Sequence, residues 1–504
     1  MGYSLGMLEP VCQGCRERDA RIAYLEQVVA ELLERDRRRE AEYCELESKY
    51  QVLQAQYRQL EQKYRDLETR LGVNASNSSL PPSANPPGAP PPVVKKPTGR
   101  QPGGQPGHPP HLRQRLPAER LTQPIHHYYP STCQCCQHAL PGASGVDVAE
   151  PRWHQVVELP QRLVDVTEHQ AHVRRCPACG EVTWAEFPAD VRAHVFGPRL
   201  GAVMSYLSGF LHAGKRGIEE FVETVFGTPI ALGSVSNLEQ EMSVALAPAH
   251  AAAQQTVQEA ATKNVDETGW KRAGTKCWLW GAATKLVACF VIRPTRGAAG
   301  LTALLGESIH GIVTSDRFSV YGSLVLDRRQ VCWAHLKRDF QKLVDRGGGA
   351  KDIGEAGLRV VHRVFEWWHQ FRGGGLARAQ LQQQIAPERE ALRAALAAGC
   401  AVDDAKANAF CENVLAIEAA LWTFTHHDGV EPTNNHMERL LRPGVLWRKN
   451  AFGCHSDDGC RFVERILTVV QTLRLQKRPV LDFLYQSLHA HRQSQTAPVL
   501  LAGG

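Results

Sequence analysis

The sequence predicts an α/β protein of several domains, whose core is a mixed five-stranded sheet with flanking helices and an all-helical insertion. Short apolar runs with strand-like composition are concentrated in residues 261–344. Amphipathic helical periodicity fills residues 345–425, and helical patterns return in residues 426–490. At 504 residues the chain exceeds one ordinary domain, and its apolar share of 43% is ample for buried cores.

Composition and charge exclude several classes of protein. No segment approaches the roughly 18 consecutive apolar residues of a membrane span, and the N-terminus lacks the basic-then-apolar order of a signal peptide. The formal charge of +6 is mild. Fifteen cysteines, an odd number scattered along the chain, indicate a reducing compartment with a metal site rather than a disulfide framework. We therefore expect a cytoplasmic protein that needs no membrane.

Residues 16–73 are predicted to form an N-terminal coiled coil. From Ile22 to Leu71 the seam positions are spaced alternately three and four residues apart, which is the 3.5-residue repeat of a coiled coil. Leu and Tyr recur in this seam, and Asp36 and Arg39 interrupt it once. The pattern favours self-association through this helix. A long amphipathic helix packed on its own domain is the alternative.

Residues 74–115 are predicted to be an extended linker, because their Pro, Gly, Ser and Asn content prevents helices and sheet ladders. The second half carries five cations with no acid between them: Lys95, Lys96, Arg100, Arg113 and Arg115. A flexible basic arm can follow the phosphate backbone of a nucleic acid or enter a groove. A solvated linker without a ligand explains this segment equally well.

Residues 116–195 are predicted to form a small zinc-binding module. CQCC (133–136) and CPAC (176–179) flank a strand-rich stretch, and paired thiolates with a two-residue gap are typical of a structural Zn²⁺ site. The predicted ligands are Cys133, Cys136, Cys176 and Cys179. Cys135 is an additional thiol. A redox pair at CPAC is the alternative, but no βαβ pattern surrounds it.

Residues 196–260 are predicted to be helical. The segments IEEFVETVFG and ALGSVSNLEQEM are similar to a helix-turn-helix DNA-binding module, with Ser234 as the predicted cap of the second helix. An ordinary layer of packed helices is an equally good interpretation. This region precedes the predicted sheet directly.

The predicted sheet carries acids at two strands. Its order along the chain is three strands, a helix, a fourth strand, and then a strand that runs into a helix. This is the order of the ribonuclease-H-like nucleases, in which the first and fourth strands are neighbours. Asp266 lies on the first strand and Asp316 ends the fourth. Because side chains alternate along a strand, Glu267 faces away from Asp266 and is not an expected ligand.

A third carboxylate is expected on a helix after the insertion. The segment PTNN (432–435) precedes a predicted helix that holds Glu438, and its Asn side chains are expected to cap that helix. Carboxylates of this kind hold Mg²⁺ at sites of phosphoryl transfer. The predicted metal ligands are Asp266, Asp316 and Glu438. The competing acids are Glu267, Asp327, Asp339, Glu431, Asp457 and Asp458.

Basic residues follow the third acid. Arg442, Arg448 and Lys449 flank the predicted Glu438 helix, and phosphate contact is the favoured interpretation because a core would not bury three unpaired cations. His335, in CWAH, has two interpretations: a packing residue or a catalytic group. The sequence pattern alone leaves both open.

These motifs resemble the DDE transposases of bacterial insertion sequences, specifically the insertion-sequence-sixty-six type, also called the transposase C family. The matching stretches are NSSLPPS, GRQPGGQPGH, the paired-Cys module, VDETGW, SDRFSVYG, VCWAHLKRDF and TNNHMERLLRPGVLWRKNAFGCHSDDG. The resemblance implies a ribonuclease-H-like core with Asp266, Asp316 and Glu438 as the metal-binding triad. It also implies an N-terminal helical and zinc-binding region that recognises the element's ends.

The implied activity is metal-dependent DNA strand cleavage and strand transfer. The implied cofactors are two Mg²⁺ (or Mn²⁺) ions at the catalytic site and one structural Zn²⁺. The implied partners are the terminal inverted repeats, target DNA, further copies of the chain and small accessory proteins of the same element, and the protein would be nucleoid-associated when bound to DNA. Two other classes are a catalytically inactive, dimeric zinc-containing DNA-binding regulator and a coiled-coil scaffold that binds no DNA.

Overall fold

The structure, a computed structural model, describes residues 13–72 and 114–501. The chain divides into two compact units, Met1–Lys96 and Pro97–Gly504. None of the described helices combines the length and apolar composition that crossing a bilayer requires. Four of the predicted DNA-binding cations lie outside the described residues: Lys95, Lys96, Arg100 and Arg113.

The first unit contains the 60-residue helix α1 (Gln13–Gly72). At 1.5 Å per residue it is about 90 Å long. Its large apolar side chains are in solvent: Leu53 is 64% and Leu60 is 65% exposed. An apolar stripe gains stability only when another surface covers it. Self-association through α1 remains a prediction, and the exposed stripe is consistent with it.

The described part of the second unit contains seven strands and thirteen α-helices. The strands are β1 (Val173–Arg175), β2 (Val182–Trp184), β3 (Thr262–Arg272), β4 (Thr275–Ala283), β5 (Ala288–Arg293), β6 (Ile312–Ser315) and β7 (Arg329–Val331). The helices are α2 (Ala189–Ala193), α3 (Pro198–Gly209), α4 (Lys215–Phe226), α5 (Leu232–Ala245), α6 (Ala247–Glu259), α7 (Ala298–Leu305), α8 (Trp333–Arg346), α9 (Gly348–Arg372), α10 (Arg378–Gly399), α11 (Ala405–Ala416), α12 (Asn435–Ala451), α13 (Asp457–Leu475) and α14 (Val480–Arg492).

Strands β3 to β7 form one mixed sheet in the order β5-β4-β3-β6-β7. β3, β4 and β5 are antiparallel neighbours, and β6 and β7 run parallel to β3. The predicted mixed five-stranded sheet with flanking helices is therefore present. β5 is buried along most of its length, as its continuous apolar run requires. The two strands associated with the predicted acids, β3 and β6, are direct neighbours.

Helices α9, α10 and α11 build an apolar core of their own, which joins the sheet through β7 and α8. The segment that follows them is bound to β7. Thr423 donates its hydroxyl to the Arg329 carbonyl at 2.6 Å, and the side chain of Gln330 accepts from the Phe424 N–H at 2.7 Å. These bonds return the chain to the sheet just before α12 begins.

Helices α3 to α6 form a layer on the core, and the start of α5 differs from the prediction. The residue before the helix is Ala231, whose backbone is extended (φ −89°, ψ 150°), whereas Ser234 lies inside the first turn. Since a cap residue needs that extended backbone, the prediction that Ser234 caps the helix is wrong. Arg492 of α14 pairs with Glu241 of α5 at 2.8 Å, which favours the packed-layer interpretation.

Candidate active site

Asp266 lies on β3, and Asp316 directly follows β6, the strand beside it. The parallel pairing places Asn264 opposite Thr314, and each acid lies two residues beyond that pair. Equal offsets along a parallel ladder put two residues next to each other on strands that are about 4.8 Å apart. Asn264, on the Asp266 face of β3, donates to the side chain of Asn434 at 3.0 Å. The start of α12 therefore covers the face that Asp266 occupies.

The start of α12 is fixed to the sheet rather than capped as predicted. Asn434 makes no side-chain bond to the helix backbone. Its Nδ2 donates instead to the Val265 carbonyl at 2.8 Å, and its Oδ1 accepts from Asn264. The capping prediction is therefore wrong, because the backbone of Asn434 (φ −92°, ψ 13°) is not extended and its side chain bonds to buried strand atoms. These bonds fasten the helix of Glu438 to the strand of Asp266.

Glu438 faces the N-terminal part of α8. Its Oε1 lies 3.5 Å from His335 Nδ1 and 4.0 Å from Arg338 Nη2. Ligand atoms of Cys332, His335 and Glu438 all lie within 4.8 Å of one another, the one such group of three or more among the residues that the structure describes. Asp266 is outside this group, although its charge still interacts with Glu438.

The carboxylates oppose one another electrostatically. Burial raises the pKa of Asp266 well above its ordinary value, and the negative charges of Glu267, Asp316 and Glu438 raise it further. The Glu267 N–H, which donates to Asp266 at 2.9 Å, opposes this shift only in part. The site therefore disfavours full ionisation of its acids unless a cation is added.

Burial disfavours the charged forms of both Cys332 and His335. Burial raises the pKa of the Cys332 thiol to about 11, and its sulfur accepts the N–H of Asn434 at 3.0 Å. Burial first, and then the charge of Arg338, lowers the pKa of His335. Cys332 thus joins the starts of α8 and α12, while the imidazole of His335 lies beside Glu438.

Two buried polar atoms at this site lack a hydrogen bond. His335 Nδ1 and Glu438 Oε1 are buried, and neither has a partner within the described part of the chain. An unsatisfied buried polar atom costs about 1–3 kcal/mol. A cation beside Glu438 would offset that cost and the repulsion among the acids. The sequence alone does not assign a role to His335, because its contact with α12 depends on the fold. The C-x-x-H spacing of Cys332 and His335 is the local signal that the sequence offers.

Glu267 faces the other side of β3 and is already bonded there. Its Oε2 accepts from the Tyr321 hydroxyl at 2.6 Å, and its Oε1 accepts from Arg296 Nε at 2.8 Å. Four other competing acids pair with cations: Asp339 with Arg317, Glu431 with Arg372, Asp457 with Arg272, and Asp458 with Arg461. Asp327 is exposed. The ligand set Asp266, Asp316 and Glu438 stays a prediction.

The two predicted zinc-binding pairs lie in turns of the same backbone geometry. Cys176 donates its N–H to Glu181 and accepts from Gly180, at 2.7 and 2.9 Å. The turn of Cys133 repeats this pattern with His138 and Gln137, at 2.9 and 3.0 Å. Within the described residues, the sulfurs of the two pairs are not gathered into one group within 4.8 Å.

Backbone N–H groups face the first sulfur of each pair. Those of Cys136 and Cys135 lower the pKa of Cys133, as those of Cys179 and Ala178 lower the pKa of Cys176. By position in the turn, Cys136 corresponds to Cys179, and Cys135 corresponds to Ala178. This correspondence favours Cys136 over Cys135 as the second ligand of its pair.

The predicted DNA-binding cations fall into two groups. Arg442 and Lys449 are exposed on α12, and Arg115 is exposed 3.9 Å from Glu150. Arg448 differs, because its Nη1 donates to the Gly269 carbonyl at 2.7 Å. Arg448 is half-buried, and this bond ties α12 to β3, while its contact with phosphate stays a prediction.

Comparisons with known proteins give the family. Residues 14–114 match a family of unknown function (DUF6444). The uncharacterized protein y4qI of Sinorhizobium fredii is 27% identical over 243 residues, which are 42% of this chain and 43% of that protein. The chain thus spans less than half of the length of that relative. Residues 194–461, which include all three candidate ligands, match the model of the Transposase IS66 family. This match covers more than half of the chain, and the chain belongs to that family.

Proposed function

We propose that the chain is a DDE transposase, which binds the terminal repeats of a bacterial insertion sequence and catalyses metal-dependent cleavage and strand transfer. The observation that supports the proposal is the electrostatic interaction of Asp266 with two other acids, Asp316 and Glu438. Asp266 lies on β3, Asp316 directly after β6 and Glu438 on α12, and the charges of the last two raise the pKa of the first. Membership of the Transposase IS66 family supports the same activity.

The residues at this site fit a divalent cation. Mutually repelling carboxylates and an unsatisfied oxygen of Glu438 form an anionic, oxygen-rich donor set, which suits Mg²⁺ or Mn²⁺. Asp266, Asp316 and Glu438 would hold two such ions, with His335 beside the Glu438 ligand. When bound, the ions neutralise charge on the phosphate and lower the pKa of water.

The reaction consists of two displacements at phosphorus. In the first, a water oxygen bonds to phosphorus at the element's end while the bond to the 3′ oxygen breaks. The water proton passes to that oxygen, which leaves a 3′-hydroxyl and a 5′-phosphate. In the second, this 3′-hydroxyl oxygen bonds to a target phosphorus, and its proton passes to the 3′ oxygen that the target releases. Neither step requires an oxidant or a covalent protein intermediate.

We assign the core to the ribonuclease-H-like fold. Three consecutive antiparallel strands followed by two parallel strands beside the first support this assignment. The helical insertion enters after α8 and returns to the sheet before α12, the helix that carries Glu438. This return of the chain to the sheet supports Glu438 as the third proposed ligand.

The remaining modules would recognise DNA and assemble copies of the chain. Cys133, Cys136, Cys176 and Cys179 would hold one structural Zn²⁺, and the repeated turn geometry supports this assignment. The linker cations would contact terminal repeats or target DNA, and α1 would form the homo-oligomer. Accessory proteins of the same element would act beside these modules.

Alanine substitution of each ligand tests the proposal. Asp266→Ala, Asp316→Ala and Glu438→Ala should each reduce cleavage of the element's end DNA at least about a thousandfold, because each removes charge stabilisation worth several kcal/mol. Binding of the same DNA should be nearly unchanged, since phosphate contacts by cations supply the affinity. Cleavage and gel-shift assays on one preparation with Mg²⁺ measure both quantities.

Glu267 provides the matched control. Glu267→Gln should retain cleavage, whereas Glu267→Ala should lower the free energy of unfolding by about 2 kcal/mol, because Arg296 and Tyr321 lose their acceptor. A Glu267→Gln protein as inactive as Asp266→Ala would contradict the assignment of ligands. A wild-type chain that binds end DNA but never cuts it with Mg²⁺ or Mn²⁺ would support the inactive regulator instead.

A further inference from the structure

One face of α12 is exposed and basic. Four exposed side chains recur at alternating intervals of three and four residues, which aligns them along one side of the helix: Arg439, Arg442, Leu446 and Lys449. In the part of the chain that the structure describes, none of these three cations lies in an ion pair with an acid. The stripe begins one residue after Glu438 and so starts at the candidate active site.

The stripe ends at an exposed aromatic side chain. Phe452 closes α12 with its N–H donated to the Arg448 carbonyl at 3.0 Å. Its side chain is 74% exposed, and its backbone is left-handed, with φ +58°. A bulky residue rarely adopts this conformation, which glycine takes without cost. An exposed aromatic ring beside cations offers a surface on which a base can stack.

The β3–β4 hairpin extends the basic surface beyond Phe452. Cys454 donates its N–H to the Lys271 carbonyl at 2.9 Å, and Ala273 donates to the Cys454 carbonyl at 2.8 Å. These bonds hold the end of α12 against the hairpin tip. Lys271 and Lys276 are exposed there. Exposed cations therefore lie both on α12 and on the hairpin to which the end of α12 is bound.

We propose that Arg439, Arg442 and Lys449 hold the phosphates of the DNA strand that leaves the active site, and that Phe452 stacks on an unpaired base of that strand. From Arg439 to Lys449 the helix rises about 15 Å, which corresponds to roughly four nucleotides of one strand. Aromatic side chains beside a basic groove bind single-stranded nucleic acid by stacking, whatever the base. This inference rests on the proposed transposase function.

Photo-crosslinking tests the stacking contact with the full-length chain. The probe is a forked duplex of arbitrary sequence whose single-stranded arm carries 5-iodouracil, used with EDTA so that no cleavage occurs. The wild-type chain and Phe452→Trp should crosslink through residue 452, as peptide mass spectrometry would show. Phe452→Ala should lose that crosslink and about tenfold in affinity for the fork, while its affinity for the fully paired duplex stays the same.

Two further variants complete the test. Leu286→Ala removes an exposed apolar side chain at the other end of β4 and should behave as wild type. Arg442→Ala should weaken binding to fork and duplex alike and reduce the salt dependence by about one released ion.

Wild-type crosslinks that avoid Phe452, or an equal affinity loss of Phe452→Ala on fork and duplex, would overturn the inference. Absence of metal-dependent cleavage by a wild-type chain that still crosslinks at Phe452 would contradict only the transposase function.

Discussion

Asp266 lies in an electrostatic environment that favours its protonated form. Burial disfavours the charged carboxylate, and the charges of Glu267, Asp316 and Glu438 add to that effect. An enzyme tolerates this cost where the same charges bind a cation that the reaction requires. The buried, repelling carboxylates lower the free energy of unfolding when no metal is bound. Metal binding should therefore raise the free energy of unfolding.

Asp266→Asn measures that cost. Because the folded state raises the pKa of Asp266, it binds a proton more tightly than the unfolded chain does. Its contribution to stability therefore falls as pH rises from the ordinary aspartate pKa through the raised value. At neutral pH without metal, Asp266→Asn should melt at a higher temperature than wild type, and the difference should shrink on acidification.

The change in melting temperature on adding Mn²⁺ tests whether Asp266 binds the cation. Mn²⁺ should raise the melting temperature of wild type, because ligand binding to the folded state stabilises it. It should raise that of Asp266→Asn much less. Calorimetry of both proteins over a pH series, with and without Mn²⁺, measures this. An identical increase in both proteins would place the ion elsewhere.

At the residue level, the sequence predicts what depends on local alternation and misses what depends on tertiary partners. The opposite orientations of Asp266 and Glu267 follow from strand geometry, and the observed contacts of Glu267 agree with them. Asn434 lies where a cap is expected, yet its amide bonds to β3. The C-x-x-H spacing marks His335, but no local pattern indicates its contact with Glu438 or the bond of Asn434, because each joins segments that are distant in the chain.

At the element level, α12 carries both a candidate metal ligand and the residues that pack the helix on the sheet. Its first turn carries Glu438, its buried side packs on the sheet, and its exposed side is basic. Arg448 bonds to β3 and Lys449 is exposed to solvent, because neighbouring residues differ by about 100° around a helix. Arg448 therefore has a structural contact, and Lys449 is the cation that we propose for DNA binding.

Substitution of these two cations should give opposite results. Arg448→Ala should lower the free energy of unfolding by about 1–2 kcal/mol, since the half-buried Gly269 carbonyl loses a charged donor. Lys449→Ala should leave stability within about 0.5 kcal/mol of wild type but weaken DNA binding and reduce its salt dependence. Chemical denaturation and salt-dependent gel shifts measure the two properties. Normal stability of Arg448→Ala would return that residue to the DNA-binding set.

The two cysteine turns also give an element-level prediction. Because the turn of Cys133 repeats that of Cys176, purified protein should contain one Zn²⁺ per chain. Cys133→Ser should lose the ion. A chelator should loosen residues 116–195 while leaving the sheet of β3 to β7 folded. Cys135→Ser is the matched control and should keep the zinc, because Cys135 corresponds to Ala178. Metal analysis of the three proteins decides, and retention of zinc by Cys133→Ser would contradict the ligand set.

At the scale of the whole molecule, the chain combines one long exposed helix with a unit that contains the candidate chemistry. The 3.5-residue period of α1 specifies a seam, and so predicts that the helix pairs with further copies of itself. The same period does not specify how many helices share the seam. Transposition brings two element ends and a target together, so an assembly of several chains suits the proposed reaction. Self-association through α1 would supply such an assembly.

Charged substitutions in the seam test this assembly. Leu53→Glu with Leu60→Glu places unpaired charge where the helices would pack, and should dissociate the oligomer because buried unpaired charge is strongly disfavoured. Ala55→Glu with Gln59→Glu adds the same charge on the opposite side of α1 and should leave the mass unchanged. Light scattering of the wild type and both variants measures the assembly. A wild-type mass that the Leu53 and Leu60 changes leave intact would show that this helix does not join the copies.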